Sequence, residues 1–160
     1  MPIRPTTPAD VAYLVPLAAA TGVFKPHEIE TLGSVFSDYF ATAGAEEGHL
    51  CFTAEVDGSP VGFVYFCPIP MTVGSWDLWW IAVDKGRHGT GLGSGLLRYA
   101  EDSVRDAGGR VLMIDTSSTP AYAATRAFYR KHGYVATATL PDFYCDGDDK
   151  VIFWKRLASL

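Results

Sequence analysis

The stretch that most restricts the fold is 79–97, WWIAVDKGRHGTGLGSGLL. A short apolar run reads as a buried strand. Four glycines follow on alternate positions from Gly89 to Gly95, and the apolar residues behind them switch to helical spacing. That helix stops at Gly108-Gly109, and RVLMIDTSS then reads as another buried strand. Upstream, MPIR suits a short strand, and TPADVAYLVPLAAATG suits a helix capped by Thr7, with Pro16 predicting a kink or break. KPHEIETLGSVFSDYFATAG carries Ile29, Leu32, Val35, Phe36, Tyr39 and Phe40 at helical spacing. HLCFTAEVDGSPVGFVYFCPIP is two strand-like runs about Asp57-Gly58, a hairpin signal. Downstream, AYAATRAFYRKHG reads as a helix, and YVATATL and DKVIFWKRL as closing strands. The order β-α-α-β-β-β-α-β-α-β-β predicts an α/β or α+β fold with helices packed on a mixed sheet.

A chain of 160 residues suits one domain, 1–160, and 48% hydrophobic with 19% charged residues is an ordinary globular composition. The formal charge of −5 argues against nucleic acid as a partner, because phosphate binding needs a basic surface. Cys51, Cys67 and Cys145 are scattered and odd in number, so a reducing compartment is expected rather than a disulfide framework. No Cys/His cluster has zinc spacing, and no metal is expected. The opening MPIRPTTPAD lacks an apolar h-region, and no stretch has the length of a membrane span, so the expected location is the cytoplasm, away from membranes.

The glycines admit three readings. A P-loop needs Lys-Ser or Lys-Thr after its last glycine, and none is present. The G-x-G-x-x-G dinucleotide pattern fails, because its last glycine falls on Ser94 or on Leu96. What remains is a pyrophosphate cradle, with a plain flexible turn as its alternative. Main-chain N–H groups at a helix start lack partners inside the helix, glycine lets them approach an anion, and the helix dipole favours negative charge there.

WWIAVD followed by KGRHGTGLGSGLL resembles motif A of the GNAT acetyltransferase superfamily, R/Q-x-x-G-x-G/A opening a long helix; Gly91 and Gly93 fill its glycine positions, and His88 replaces the Arg or Gln. YAATRAFYRKHGYV resembles motif B, N-x-x-A-x-x-x-Y-x-K-x-G-F. Tyr129, Lys131 and Gly133 match it, Tyr134 stands for Phe, Tyr122 for Asn and Thr125 for Ala. The likeness covers essentially the whole chain and is nearest to a bacterial branch of these enzymes. It implies a mixed, mostly antiparallel sheet of about seven strands with about four helices. It implies direct transfer of acetyl from acetyl-CoA to a primary amine, on a small molecule or on a protein N-terminus or lysine. A domain that holds acyl-CoA without turnover is the alternative. A homodimer is compatible with either.

The same resemblance assigns the coenzyme to the main chain of Ile81, Ala82 and Val83, and to His88, Gly89, Thr90, Gly91, Leu92, Gly93 and Ser94. It adds Tyr122 beside the pantetheine or adenine, and Tyr129 as the acid that protonates the leaving thiolate, with a plain core tyrosine packing beside Phe128 as the alternative for Tyr129. Asp115, a carboxylate inside the apolar run VLMID, is the leading base, with burial expected to raise its pKa. It could also cap the next turn through Thr116 or Ser117; Asp77 is its rival, and a water wire with no dedicated base is the third option. Trp79 and Trp80 face opposite sides of their strand, so one belongs to the core and the other could line the acceptor pocket. His27, His49 and His132 are expected at the surface, and PDFYCDGDDK as a solvated turn.

Overall fold

A computed structural model of the chain describes residues 1–157. The strands are β1 (Ile3–Pro5), β2 (Leu50–Val56), β3 (Ser59–Pro68), β4 (Ser75–Val83), β5 (Val111–Ser117), β6 (Val135–Cys145) and β7 (Asp148–Arg156). The four longer helices are α1 (Val11–Ala20), α2 (Pro26–Asp38), α3 (Leu92–Asp106) and α4 (Ala123–Lys131). The hydrogen-bonded order of the open sheet is β1-β2-β3-β4-β5-β7-β6. The β1–β2, β2–β3, β5–β7 and β6–β7 pairs are antiparallel, and β4–β5 is parallel. The α/β class and the order of elements agree with the sequence reading.

Two compact units make up the chain: Met1–Pro68 with Trp79–Ala100, and Ile69–Leu78 with Glu101–Leu160. In the first, Leu14 and Ala18 of α1 and Leu32 and Phe36 of α2 pack on Cys51, Phe63, Tyr65 and Ala82. The β2–β3 turn is Asp57-Gly58, both left-handed (φ 51° and 76°), as a two-residue hairpin requires. Gly62 on β3 has a packing reason. A Cβ there would stand 2.9 Å from the Ala82 carbonyl oxygen and about as close to Leu92 and Leu96, so a bare backbone lets the start of α3 lie close to the strands. Pro16 does not end α1. Pro16 and Ala12 both face solvent, so the carbonyl deprived of its donor can bond to water.

In the second unit, Leu112, Ile114, Phe153, Tyr129 and Tyr134 are buried. Glu101 is buried as well, and it accepts hydrogen bonds from the Tyr134 hydroxyl (2.9 Å) and Lys155 Nζ (2.8 Å). The expected turn at PDFYCDGDDK shrinks to Asp146-Gly147, because β6 continues through Pro141 to Cys145. An edge strand can carry Pro141, whose missing donor has no ladder to break on its outer side. Asp148, expected in solvent, is buried and accepts from the Ser117 hydroxyl at 2.5 Å.

Candidate active site

In the first unit β4 delivers Ile81, Ala82 and Val83 directly into the glycine loop. Asp84 Oδ1 accepts the Gly86 N–H (2.8 Å), and the Thr90 hydroxyl donates to the Arg87 carbonyl (2.6 Å), which folds the loop on itself. Gly89 and Gly91 are left-handed (φ 77° and 84°), and a Cβ on either would meet nothing within 4 Å. Glycine is therefore needed for backbone conformation, and the space beside it is open. Helix α3 begins at Leu92 with the Gly95 N–H on the Gly91 carbonyl (2.9 Å). The N–H groups of Leu92 and Gly93 precede that bond and have no acceptor inside the helix. Open space, left-handed glycines and helix-start donors without intrahelical acceptors fit an anionic diphosphate.

His88 lies within this loop. Its Nε2 lies 3.1 Å from the Val83 carbonyl oxygen, which accepts the Nε2–H and so ties the loop back to the strand. The side chain that stands for the family's Arg or Gln is thus engaged within the loop.

The second unit brings two of the candidate acids together. Asp77 on β4 pairs in register with Met113 on β5, and Asp115 lies two residues further along the same face. Lys150 on β7 reaches Asp115 Oδ2 at 2.8 Å, while its ammonium lies 4.3 Å from the centre of the Phe143 ring. The expected burial of Asp115 is not found. Its side chain is 36% exposed and ion-paired. Burial acts instead on Asp77, pushing its carboxyl up to about 6, with the Asp115 carboxylate adding to the rise and Lys150 opposing it.

Tyr129 is buried against Phe128, Tyr134 and Phe153, and burial pushes its hydroxyl above the ordinary tyrosine range. Tyr122 closes the turn before α4, its N–H donating to the Thr119 carbonyl (3.0 Å). Sequence reasoning missed Arg126, whose Nη1 donates to the carbonyls of Ser117 and Thr119, each at 2.8 Å. This clamp and the Ser117–Asp148 bond fix the loop between β5 and α4. Arg126 lies inside the motif-B segment, but nothing in its spacing marks it.

Two residues of β4 divide as expected. Trp80 packs against the first unit's core and on Phe24 (5.2 Å), whereas Trp79 is 48% exposed. His49 contradicts its expected surface position. It is buried, with Nδ1 2.6 Å from the Tyr65 hydroxyl, and burial lowers its pKa. Cys51, Cys67 and Cys145 form no disulfide among the described residues, and burial pushes the Cys51 thiol up to about 12. No helix among the described residues is long and apolar enough to cross a membrane.

The glycine turn at the head of α3, on a mixed sheet with this strand order, defines an acetyltransferase class. The model of the Acetyltransferase (GNAT) family matches residues 17–134. Over 110 residues the chain is 32% identical to an uncharacterized N-acetyltransferase of Methanocaldococcus jannaschii, covering 66% of each chain, just under two-thirds of that relative's length. A crystal structure of a GNAT-family protein from Desulfovibrio desulfuricans is 34% identical, with a TM-score of 0.91 over 98% of this chain and 99% of that one. At 20% identity, an aminoglycoside 6'-N-acetyltransferase complexed with coenzyme A shares the fold, with a TM-score of 0.77 over 100% and 99% of the two chains. The chain belongs to the GNAT acetyltransferase family, and by that membership it is an acyltransferase.

Proposed function

We propose that residues 1–160 act as one N-acetyltransferase domain that moves an acetyl group from acetyl-CoA directly to a primary amine. The observation that carries this reading is the glycine loop at the head of α3. Its left-handed Gly89 and Gly91 leave open space beside helix N–H groups. The relative complexed with coenzyme A supports the choice of cosubstrate. In this reading the amides around Gly89, Thr90, Gly91, Leu92, Gly93 and Ser94 hold the pyrophosphate, and the main chain of Ile81–Val83 faces the pantetheine. Acetyl-CoA supplies an activated acyl group on a thiol leaving group. The chain's own work is to orient the amine, take its proton and return one to the thiolate.

Asp77 is the proton acceptor in this account. Its carboxyl, held at about 6, is ionised at neutral pH yet basic enough to accept a proton. Asp115, held by Lys150, supplies the neighbouring negative charge that keeps it so. Tyr129 is the proton donor. Its buried hydroxyl stays protonated throughout the working pH range. The acceptor is a small-molecule amine, or the N-terminus or a lysine of a protein. Cysteines outside any disulfide support a cytoplasmic location, and the exposed edge strand β6 supports a homodimer.

The experiment is calorimetric titration with acetyl-CoA, followed by thiol release across a panel of amines. Binding with amine-dependent thiol release upholds the reading. Binding without release for any amine points to an acyl-CoA-holding module, the role that the engaged His88 would favour. Absence of binding refutes both.

A further inference from the structure

In the second unit, helix α4 carries a cation that the acetyl-transfer reading does not use. The helix has only 9 residues, too few to hold itself in water. Its start is not closed by a cap either: Tyr122 stands at the N-cap and makes no side-chain capping bond. Anchors from outside the helix therefore set where it lies and how it is turned.

One anchor is Arg126. Its Nη1 carries two N–H groups. They donate to the Ser117 carbonyl and to the Thr119 carbonyl, each at 2.8 Å. The loop that bears these carbonyls is itself fixed to the sheet. The Ser117 hydroxyl donates to the buried Asp148 carboxylate (2.5 Å), and the Thr119 N–H donates to Ser117 Oγ (3.1 Å). The Ser118 N–H donates to the Asp149 carbonyl (3.0 Å), and the Asp149 N–H donates to Ser118 Oγ (2.8 Å). Strand β7, the loop after β5, the guanidinium and α4 are thus joined by one continuous run of hydrogen bonds.

Arg126 and Tyr129 are neighbours on one face of the helix. Side chains three residues apart leave a helix about 60° apart around its axis and about 4.5 Å apart along it, so a turn or slide that frees one carries the other. Tyr129 depends on that placement. Its ring packs against Phe128, Tyr134 and Phe153, with centroids 5.6, 6.0 and 5.6 Å away. Burial and the nearby Tyr122 hydroxyl perturb its own hydroxyl, and no hydrogen bond among the described residues does. Nothing bonded to the oxygen aims it, so the helix has to.

We infer that Arg126 is a positioning residue for proton donation: by tying α4 to the loop after β5 it aims the Tyr129 hydroxyl, and it acts through that hydroxyl rather than on the coenzyme or the amine. This rests on the reading of Tyr129 as the proton donor. A misplacement of about 1 Å, caused away from the chemistry, costs on the order of 100-fold in rate. The loss falls on turnover and not on binding, because the aimed group works only in the transition state.

The test is a mutant cycle on the full chain, with acetyl-CoA and the amine that releases thiol fastest. Arg126→Met keeps the apolar stem and removes both donors. It should lower kcat roughly 10- to 100-fold and leave the Kd of acetyl-CoA and the KM of the amine within about 2-fold. Arg126→Lys, which restores N–H donors, should recover most of the loss. In the Tyr129→Phe background Arg126→Met should cost nothing further, whereas independent damage would multiply the two losses. A second measurement needs no turnover. With tyrosine isotope-labelled at Cζ, the Tyr129 resonance, identified by its absence in Tyr129→Phe, should shift in Arg126→Met and return toward the parent's in Arg126→Lys. Melting above the assay temperature confirms folding, and Arg126→Gln, too short to reach both carbonyls, replaces Arg126→Met if that variant unfolds. Multiplied losses, an unmoved Tyr129 resonance or weakened acetyl-CoA binding would overturn this inference and leave Tyr129 as the donor. Full turnover in Tyr129→Phe would overturn the reading of the donor, and this inference with it.

Discussion

Replacing Asp77 by Asn should make the protein more stable while removing its proton acceptor. An ionised Asp77 is unfavourable in the fold, because burial and the Asp115 carboxylate raise its carboxyl from 3.8 to about 6. The stability linked to this group is intact below pH 3.8, where it is protonated in both the folded and the unfolded chain. It is lost as pH rises from 3.8 through about 6, where the unfolded chain ionises first, and the loss is complete above that. Each pKa unit corresponds to about 1.4 kcal/mol, and partial solvation of the site reduces the sum, leaving a penalty of about 2 kcal/mol at pH 8. Asp77→Asn removes the penalty while keeping the side chain's size. Urea denaturation at pH 8 should therefore show the variant about 2 kcal/mol more stable than the parent, with the difference shrinking to a few tenths of a kcal/mol near pH 4. A variant that is equally stable at pH 8, or whose gain is the same at both pH values, would refute the burial argument for Asp77.

Other substitutions report on separate parts of the account. Gly91→Ala should cost about 1–2 kcal/mol in urea denaturation from its left-handed backbone alone; acetyl-CoA affinity, read by calorimetry, should fall about 10-fold while the fold persists. Tyr129→Phe should lower turnover roughly 10- to 1000-fold in a thiol-release assay with little change in coenzyme affinity, the scale of losing a general acid. Lys150→Met removes the cation that opposes the rise of Asp77; the acid limb of the pH–rate profile should move to higher pH.

Much of the fold was legible because its signals are local. The left-handed requirement at Asp57-Gly58 and Gly91 can be met by few residue types, so the turn and the helix start are written where they occur. The candidate site was legible only in part, because its decisive contacts are long-range. Asp115 looks buried in VLMID, yet β7 brings Lys150 to it from 35 residues away, and the desolvated carboxyl is Asp77. His49 looks like a surface histidine until the π-turn after α2 places it under Tyr65. Pro141 looks like a loop residue because proline breaks sheet ladders, but edge strand β6 tolerates it. In each case the residue type was readable, and the partner that decides its role was not.

The most direct test of the central claim is the pH dependence of kcat for acetyl transfer, measured with the amine that releases thiol fastest from acetyl-CoA. In the substrate complex kcat reports the essential proton acceptor. The parent should show a rising acid limb centred near pH 6, set by Asp77. Asp77→Asn should lose that limb, and Asp115→Asn should retain it at lower pH, because one neighbouring negative charge is gone. A limb that survives in Asp77→Asn and vanishes in Asp115→Asn would contradict the account and make Asp115 the base.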